Sequence, residues 1–403
     1  MLRTVIAILL VASWPIGAAT NLVATAQGLS PGGSLPMPAS GTAALVLDGN
    51  RIYAEVVFVR PDGTLRKAMA FVDLGSPSMA ISPALFRELH PDREKALALR
   101  VGEMAVSVDA ADVTSDDSLP YHIGGGREVE AVLPAGVLQR YQVEIDYERR
   151  TLTLAQPGTL HPEGVHVPVH VNEKTGLAAV DVRIDGKPYA MTIDCGSAYT
   201  WLTKSAAREW LHPDWTRGTG AVGLSNMRMA DDGIEATGTR MRIPGMELGT
   251  LRIPQVGGLA IGPGTGDVAF MDWYSKKNAT PVIGWLGGNI LRGFRITIDY
   301  PNRVSYWLRE APLDAKEMDQ VGLTLESKDG AYFVAAVATK NGRRTVEGVE
   351  VGDRLLQVDD LPLSQATWGA IFAAMHGKPG EARALRLERN GRGFTVRAQV
   401  TRF

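Results

Sequence analysis

A chain of 403 residues with 42 basic and 44 acidic side chains, a net charge of -2 and no basic run offers no electrostatic footprint to nucleic acid. Its hydrophobic fraction of 45% and charged fraction of 21% belong to a globular protein long enough for two or three domains. Cys195 is the single cysteine, which excludes an internal disulfide, so stability has to come from packing.

Residues 1–26 read as an export signal. Arg3 precedes an apolar stretch broken by Pro15, and Ala24-Thr25-Ala26 gives a small-x-small cleavage site before Gln27. The apolar run is short for a full membrane span, no cysteine lies there to be acylated, and no later stretch is apolar enough to cross a bilayer. Export without disulfides points to a periplasm. Residues 27–42, which begin QGLSPGGSLPMPASG, are expected to form a flexible lead-in.

From residue 43 onward, short apolar runs alternate with Gly, Asp and Pro turns, which predicts β structure. A strand, a turn at Asp62-Gly63 and a second strand deliver FVDLGS (71–76). The chain then repeats itself: LAAVDVRIDGKPYAMTID (177–194), with its turn at Asp185-Gly186, leads into Cys195-Gly196-Ser197. Behind the motifs come helix-like segments that end alike, PALFRELHPD (83–92) and KSAAREWLHPD (204–214). Each half closes on an Asp-Tyr strand, in YQVEIDYERRTLTL (141–154) and FRITIDYPNRVSYWL (294–308). The second half carries a Gly-rich insertion over residues 217–268. After Pro312 the pattern changes, with turns at Asp329-Gly330 and Val351-Gly352-Asp353, a helix around 368–376, and a final hairpin at Asn390-Gly391. Residues 317–403 are expected to be a separate domain.

Together these pieces resemble an aspartic peptidase of the retropepsin-like fold, duplicated in one chain. The resemblance rests on the two Asp-x-Gly-Ser turns, the segment VIGWLGGNILRGFRITIDY (282–300), and AVLPAGVLQRYQVEIDY (131–147), where Pro134 replaces an expected glycine. It implies a mainly β protein of two pseudo-symmetric lobes, 43–158 and 159–312. Through GDRLLQVDD (352–360) and HGKPGEARALRLERNG (376–391), the C-terminal region is similar to a PDZ domain of α+β type. That likeness implies a bound peptide or C-terminus added as a strand, with Val321, Gly322, Leu323, Thr324 and Leu325 as the carboxylate loop.

The chemistry implied is general acid/base hydrolysis of a peptide bond by Asp73 and Asp194, with no cofactor and no metal. Two carboxyls held close together cannot both ionise, so one can activate water while the other protonates the carbonyl. Gly75 and Gly196 permit the close approach, and Ser76 and Ser197 can hydrogen-bond the outer carboxylate oxygens. Where the family has Thr or Ser between Asp and Gly, this chain has Leu74 and Cys195, whose loss of a bracing hydroxyl would leave backbone groups unsatisfied. Two readings follow: an endopeptidase acting on peptides or misfolded proteins of the cell envelope, or a non-catalytic peptide binder. Cys195 is read as a small apolar filler.

Other features receive plainer expectations. His161, His166 and His170 lack a completing carboxylate or thiol and read as exposed rather than metal-binding. The aromatics of MDWYSKKN (271–278) and Trp285 read as core. The Gly-rich stretch from His122 to Gly126 is the candidate cleft-covering flap, and the pairs Asp116-Asp117 and Asp231-Asp232 read as solvated turns.

Overall fold

Turn chemistry sets the register of the molecule. At Asp185-Gly186 and Asn390-Gly391 both residues take positive φ, the conformation of a two-residue hairpin turn, and the flanking pairs Ile184↔Lys187 and Arg389↔Arg392 close directly on them. The computed structural model describes residues 38–403 apart from 93, 118, 120–122, 210–217, 220–237 and 262–266. The expected signal segment, most of the expected lead-in, His122 and Asp231-Asp232 lie outside the described residues. With 49% strand and 12% helix, the protein is mainly β.

The sequence repeat is a repeat of strand pairing. Strand Leu65–Asp73 runs parallel to Ala131–Pro134, bringing Asp73 opposite Pro134. Strand Lys187–Ile193 likewise runs parallel to Gly284–Leu286 and ends at Leu286, next to Asp194. A short strand behind each motif, Met79–Ile81 or Thr200–Thr203, pairs parallel with Val113–Ser115 or Val256–Ile261. The two closing strands, Gln142–Asp146 and Phe294–Asp299, meet antiparallel in a register that maps onto itself, Asp146↔Arg295 and Gln142↔Asp299. Their outer faces continue through Thr151–Ala155 and Ser40–Asp48 on one side, and through Val304–Arg309 and Val165–Val171 on the other.

Helix signals hold where they are described. Helix Pro83–Leu89 starts at Ser82, whose hydroxyl accepts from Leu85 N–H, and helix Lys204–Ala207 starts at Thr203 in the same way. Pro134 occupies the position before helix Ala135–Leu138 that Gly287 occupies before helix Gly288–Leu291, with φ of -92° and -91° respectively.

Residues 323–399 form a second sheet, ordered Leu323–Lys328, Ala331–Val337, Arg354–Val358, Ala382–Arg389 and Arg392–Gln399, with helix Trp368–Met375. This sheet does not hang on a free linker. Met318, Val321, Tyr332 and Trp368 share one apolar core with Leu177, Trp201 and Trp285 of the second repeat. No helix among the described residues is long and apolar enough to cross a membrane.

Candidate active site

Each motif loop is fixed at both ends by backbone bonds that recur in the two halves. The carbonyl of Ser76 accepts from Ala135 N–H at 3.0 Å, and that of Ser197 from Gly288 N–H at 2.7 Å, so each loop rests on the start of a short helix. Within the loops, Gly75 N–H donates to Asp73 Oδ1 at 2.9 Å. Gly196 and Ser197 N–H donate to Asp194 Oδ1 at 2.9 and 3.0 Å.

These loops place the acids against each other. A Cβ built on Gly75 would stand 2.3 Å from Asp194 Cγ, and one built on Gly196 would stand 2.3 Å from Asp73 Oδ1. Only glycine allows that approach at either position. A hydrogen bond links the two carboxyls, and burial raises both above the ordinary carboxylate range. Asp194 is raised further, because the charge of Asp73 adds to its desolvation. The pair therefore shares one proton, since two carboxyls so close cannot both ionise.

Ser76 and Ser197 do not hold the carboxylates through their hydroxyls. Ser76 Oγ donates to Ser78 O at 3.3 Å and Ser197 Oγ to Tyr199 O at 2.7 Å, leaving the carboxylate to backbone N–H groups that already occupy it. Cys195 is also more than filler. Its thiol donates to the Val72 carbonyl at 3.3 Å, so it meets the backbone of the opposite motif strand. The Val72 carbonyl is therefore not left unsatisfied as the missing hydroxyl implied. Burial pushes the thiol well above its usual range and keeps it protonated. Leu74, 1% exposed, packs into the main core instead.

The dyad opens into a cleft of about 250 Å³. Phe71, Leu119 and Val132 supply one wall and Phe270, Trp273 and Tyr274 the other. The second wall comes from helix Asp267–Lys276 and departs from the core reading of MDWYSKKN. Trp273 is 49% exposed at the cleft, whereas Tyr274 and Trp285 also line it but are buried and pack edge to face at 5.1 Å. Asp116 also lines the cleft rather than standing in a solvated turn. Sequence reasoning missed what fixes this wall. Asn278 accepts from the Thr192 hydroxyl at 2.8 Å and donates to Tyr274 O at 3.0 Å, tying the helix end to the strand that delivers Asp194.

Of the flap stretch, Ile123 lines the cleft, while Gly125 and Gly126 seat on the C-terminal sheet domain. Gly126 N–H donates to Ala366 O at 3.1 Å, and a Cβ there would meet Gln365 O at 2.2 Å. Asp48 Oδ1 accepts from the Thr367 hydroxyl at 2.5 Å and Gly369 N–H at 3.0 Å, capping helix Trp368–Met375 from the first repeat. Val321, Gly322, Leu323, Thr324 and Leu325 are all buried, with Val321 N–H donating to Met375 O at 3.0 Å.

A buried carboxyl absent from the sequence reading joins these regions. Glu317 accepts from Asn289 Nδ2 at 2.6 Å and Asn50 Nδ2 at 3.4 Å, and burial pushes it up to about 8. Asn289 in turn accepts from the hydroxyl and N–H of Thr200, both at 2.9 Å. His170 bonds Asp181 at 3.1 Å, and no cluster of three or more metal-ligating side chains exists among the described residues. No family model matches the chain, and no curated protein matches it either.

Proposed function

We propose that the protein is an exported aspartic endopeptidase of retropepsin-like architecture, two pseudo-symmetric lobes followed by a PDZ-like domain, acting on peptides or unfolded proteins in the cell envelope. The observation that carries this reading is the mutual seating of Asp73 and Asp194, each carboxyl against the other motif's glycine. The apolar cleft that opens from them suits an extended peptide.

In the proposed reaction, written with the shared proton starting on Asp194, the Asp73 carboxylate takes a proton from a water molecule as the water oxygen bonds to the scissile carbonyl carbon. The proton held at Asp194 passes to the carbonyl oxygen, giving a neutral tetrahedral diol. Collapse re-forms the carbonyl, breaks the C–N bond and returns a proton to Asp194. The proton on Asp73 goes to the departing amine nitrogen. Cys195 and the serines take no covalent part.

Leu74 favours a second reading, a non-catalytic cleft that holds a peptide, since it supplies no bracing hydroxyl. The bond from Cys195 to Val72 weighs against it by supplying half of that brace. The readings separate on a peptide whose scissile carbonyl is replaced by a hydroxyl-bearing tetrahedral carbon. An endopeptidase binds such a mimic at least about 100-fold tighter than the parent peptide, and Asp194→Asn removes the gain. Equal affinity for mimic and parent would favour the binder.

A further inference from the structure

Within a cleft whose other charged lining groups are acids, one cation stands ready for a ligand. Among the described residues that line the cleft, Asp73, Asp194 and Asp116 are acidic and Lys277 alone is basic. Lys277 is half-buried and forms no ion pair among the described residues, and its Nζ lies 5.5 Å from the centroid of the Trp273 ring. The ring face holds the ammonium partly dehydrated without neutralising it.

The backbone that carries this cation is tied to the strand that delivers Asp194. Lys277 N–H donates to Tyr274 O at 3.0 Å, and its carbonyl accepts from the Thr175 hydroxyl at 2.8 Å. The next residue, Asn278, is bound at 2.8 Å to Thr192, two positions before Asp194. Only the side chain of Lys277, resting its ammonium over the Trp273 ring, is left to order when it pairs with a ligand.

We infer that Lys277 is a specificity-determining residue that pairs with a carboxylate of the bound peptide, selecting an acidic side chain at one fixed position from the scissile bond. This rests on the reading of the cleft as a peptide-cleaving site. The negative charge of the dyad repels such a carboxylate, so an acidic residue is accepted at Lys277 and disfavoured beside the dyad. The selection therefore sets the register of the peptide as well as its affinity.

The test incubates the purified protein with a randomised peptide mixture and reads cut products and retained peptides by mass spectrometry. The mixture is used with free and with amidated C-termini, and Lys277→Arg, Lys277→Met and Lys277→Glu proteins run in parallel. The wild type is expected to enrich Asp or Glu at one position by about tenfold, the scale of a hydrogen bond to a charged group. Lys277→Arg keeps this enrichment, Lys277→Met abolishes it, and Lys277→Glu shifts it to Lys or Arg. Enrichment that survives amidation identifies a side-chain carboxylate; dependence on a free C-terminus would overturn the side-chain assignment. An acidic preference among retained peptides, reversed by Lys277→Glu, supports the inference even where nothing is cut, and the proteolytic reading then falls alone. Cleavage with the same preference in wild type and Lys277→Glu would overturn the inference while leaving the dyad intact. Absence of an acidic preference in both readouts overturns it as well.

Discussion

The thiol of Cys195 donates a hydrogen bond to the carbonyl of Val72, 3.3 Å away in the strand that carries the opposite acid. It couples the two motif strands through a weak donor where a hydroxyl would be a strong one. Cys195→Ser, which restores a hydroxyl in nearly the same volume, is expected to retain activity. Cys195→Ala removes the thiol's bond to the Val72 carbonyl and should lower stability by about 1–3 kcal/mol, with a larger proportional loss of activity. Urea unfolding beside cleavage rates checks both. The native thiol should also resist alkylation until the protein unfolds, since it is buried and held protonated.

The dyad predicts a bell-shaped pH profile, because activity requires one proton on the pair. Both carboxyls are raised, Asp194 well above the ordinary value, so the alkaline limb should lie above the usual carboxylate range. The same shifts have a stability consequence with a definite sign. A carboxyl raised on folding contributes stability in full below its unfolded pKa and loses it as pH rises through the folded pKa. Asp194→Asn should therefore be inactive yet melt above the wild type at neutral pH, with the difference closing near pH 3. Thermal unfolding across that range measures it.

Glu317 gives an independent pH signature. Its carboxyl is raised to about 8 by burial, with the Asn289 and Asn50 amides opposing that shift. Stability should fall as pH rises from the unfolded carboxylate value toward about 8, by about 3–5 kcal/mol in total. Glu317→Gln should flatten that slope. Urea midpoints taken from pH 4 to 9 would show equal slopes in both proteins if Glu317 stays ionised throughout.

Gly126 tests whether the C-terminal sheet domain shapes the cleft. A methyl there meets Gln365 O at 2.2 Å, so Gly126→Ala must separate the two segments or strain them, at about 1–3 kcal/mol. Because Ile123 lines the cleft three residues earlier, the change should raise KM more than it lowers kcat. An unchanged KM would mean that the contact only stabilises the fold.

Much of this architecture was legible because local chemistry and global pairing agree. Asp185-Gly186 and Asn390-Gly391 turn where a two-residue hairpin demands, and Ser82 and Thr203 begin helices where capping residues precede an apolar run. The repeat of Asp-x-Gly-Ser pointed to the paired acids through the glycines that let them touch. What stayed hidden depends on distant partners. Trp273 and Tyr274 are neighbours in sequence and both line the cleft, yet one is exposed and the other buried, on a helix whose end Asn278 pins to Thr192. Neither the burial of Glu317 nor the thiol bond of Cys195 leaves a periodic trace, since both arise where segments far apart in the chain converge.

The most direct measurement of the central claim is cleavage of a diverse peptide mixture from pH 3 to 8 by wild type, Asp73→Asn and Asp194→Asn, read by mass spectrometry. The dyad predicts wild-type cuts that disappear in both single variants, since neither acid can supply base and proton donor alone. Cuts that persist in either variant, or a wild type that cuts nothing, would contradict it.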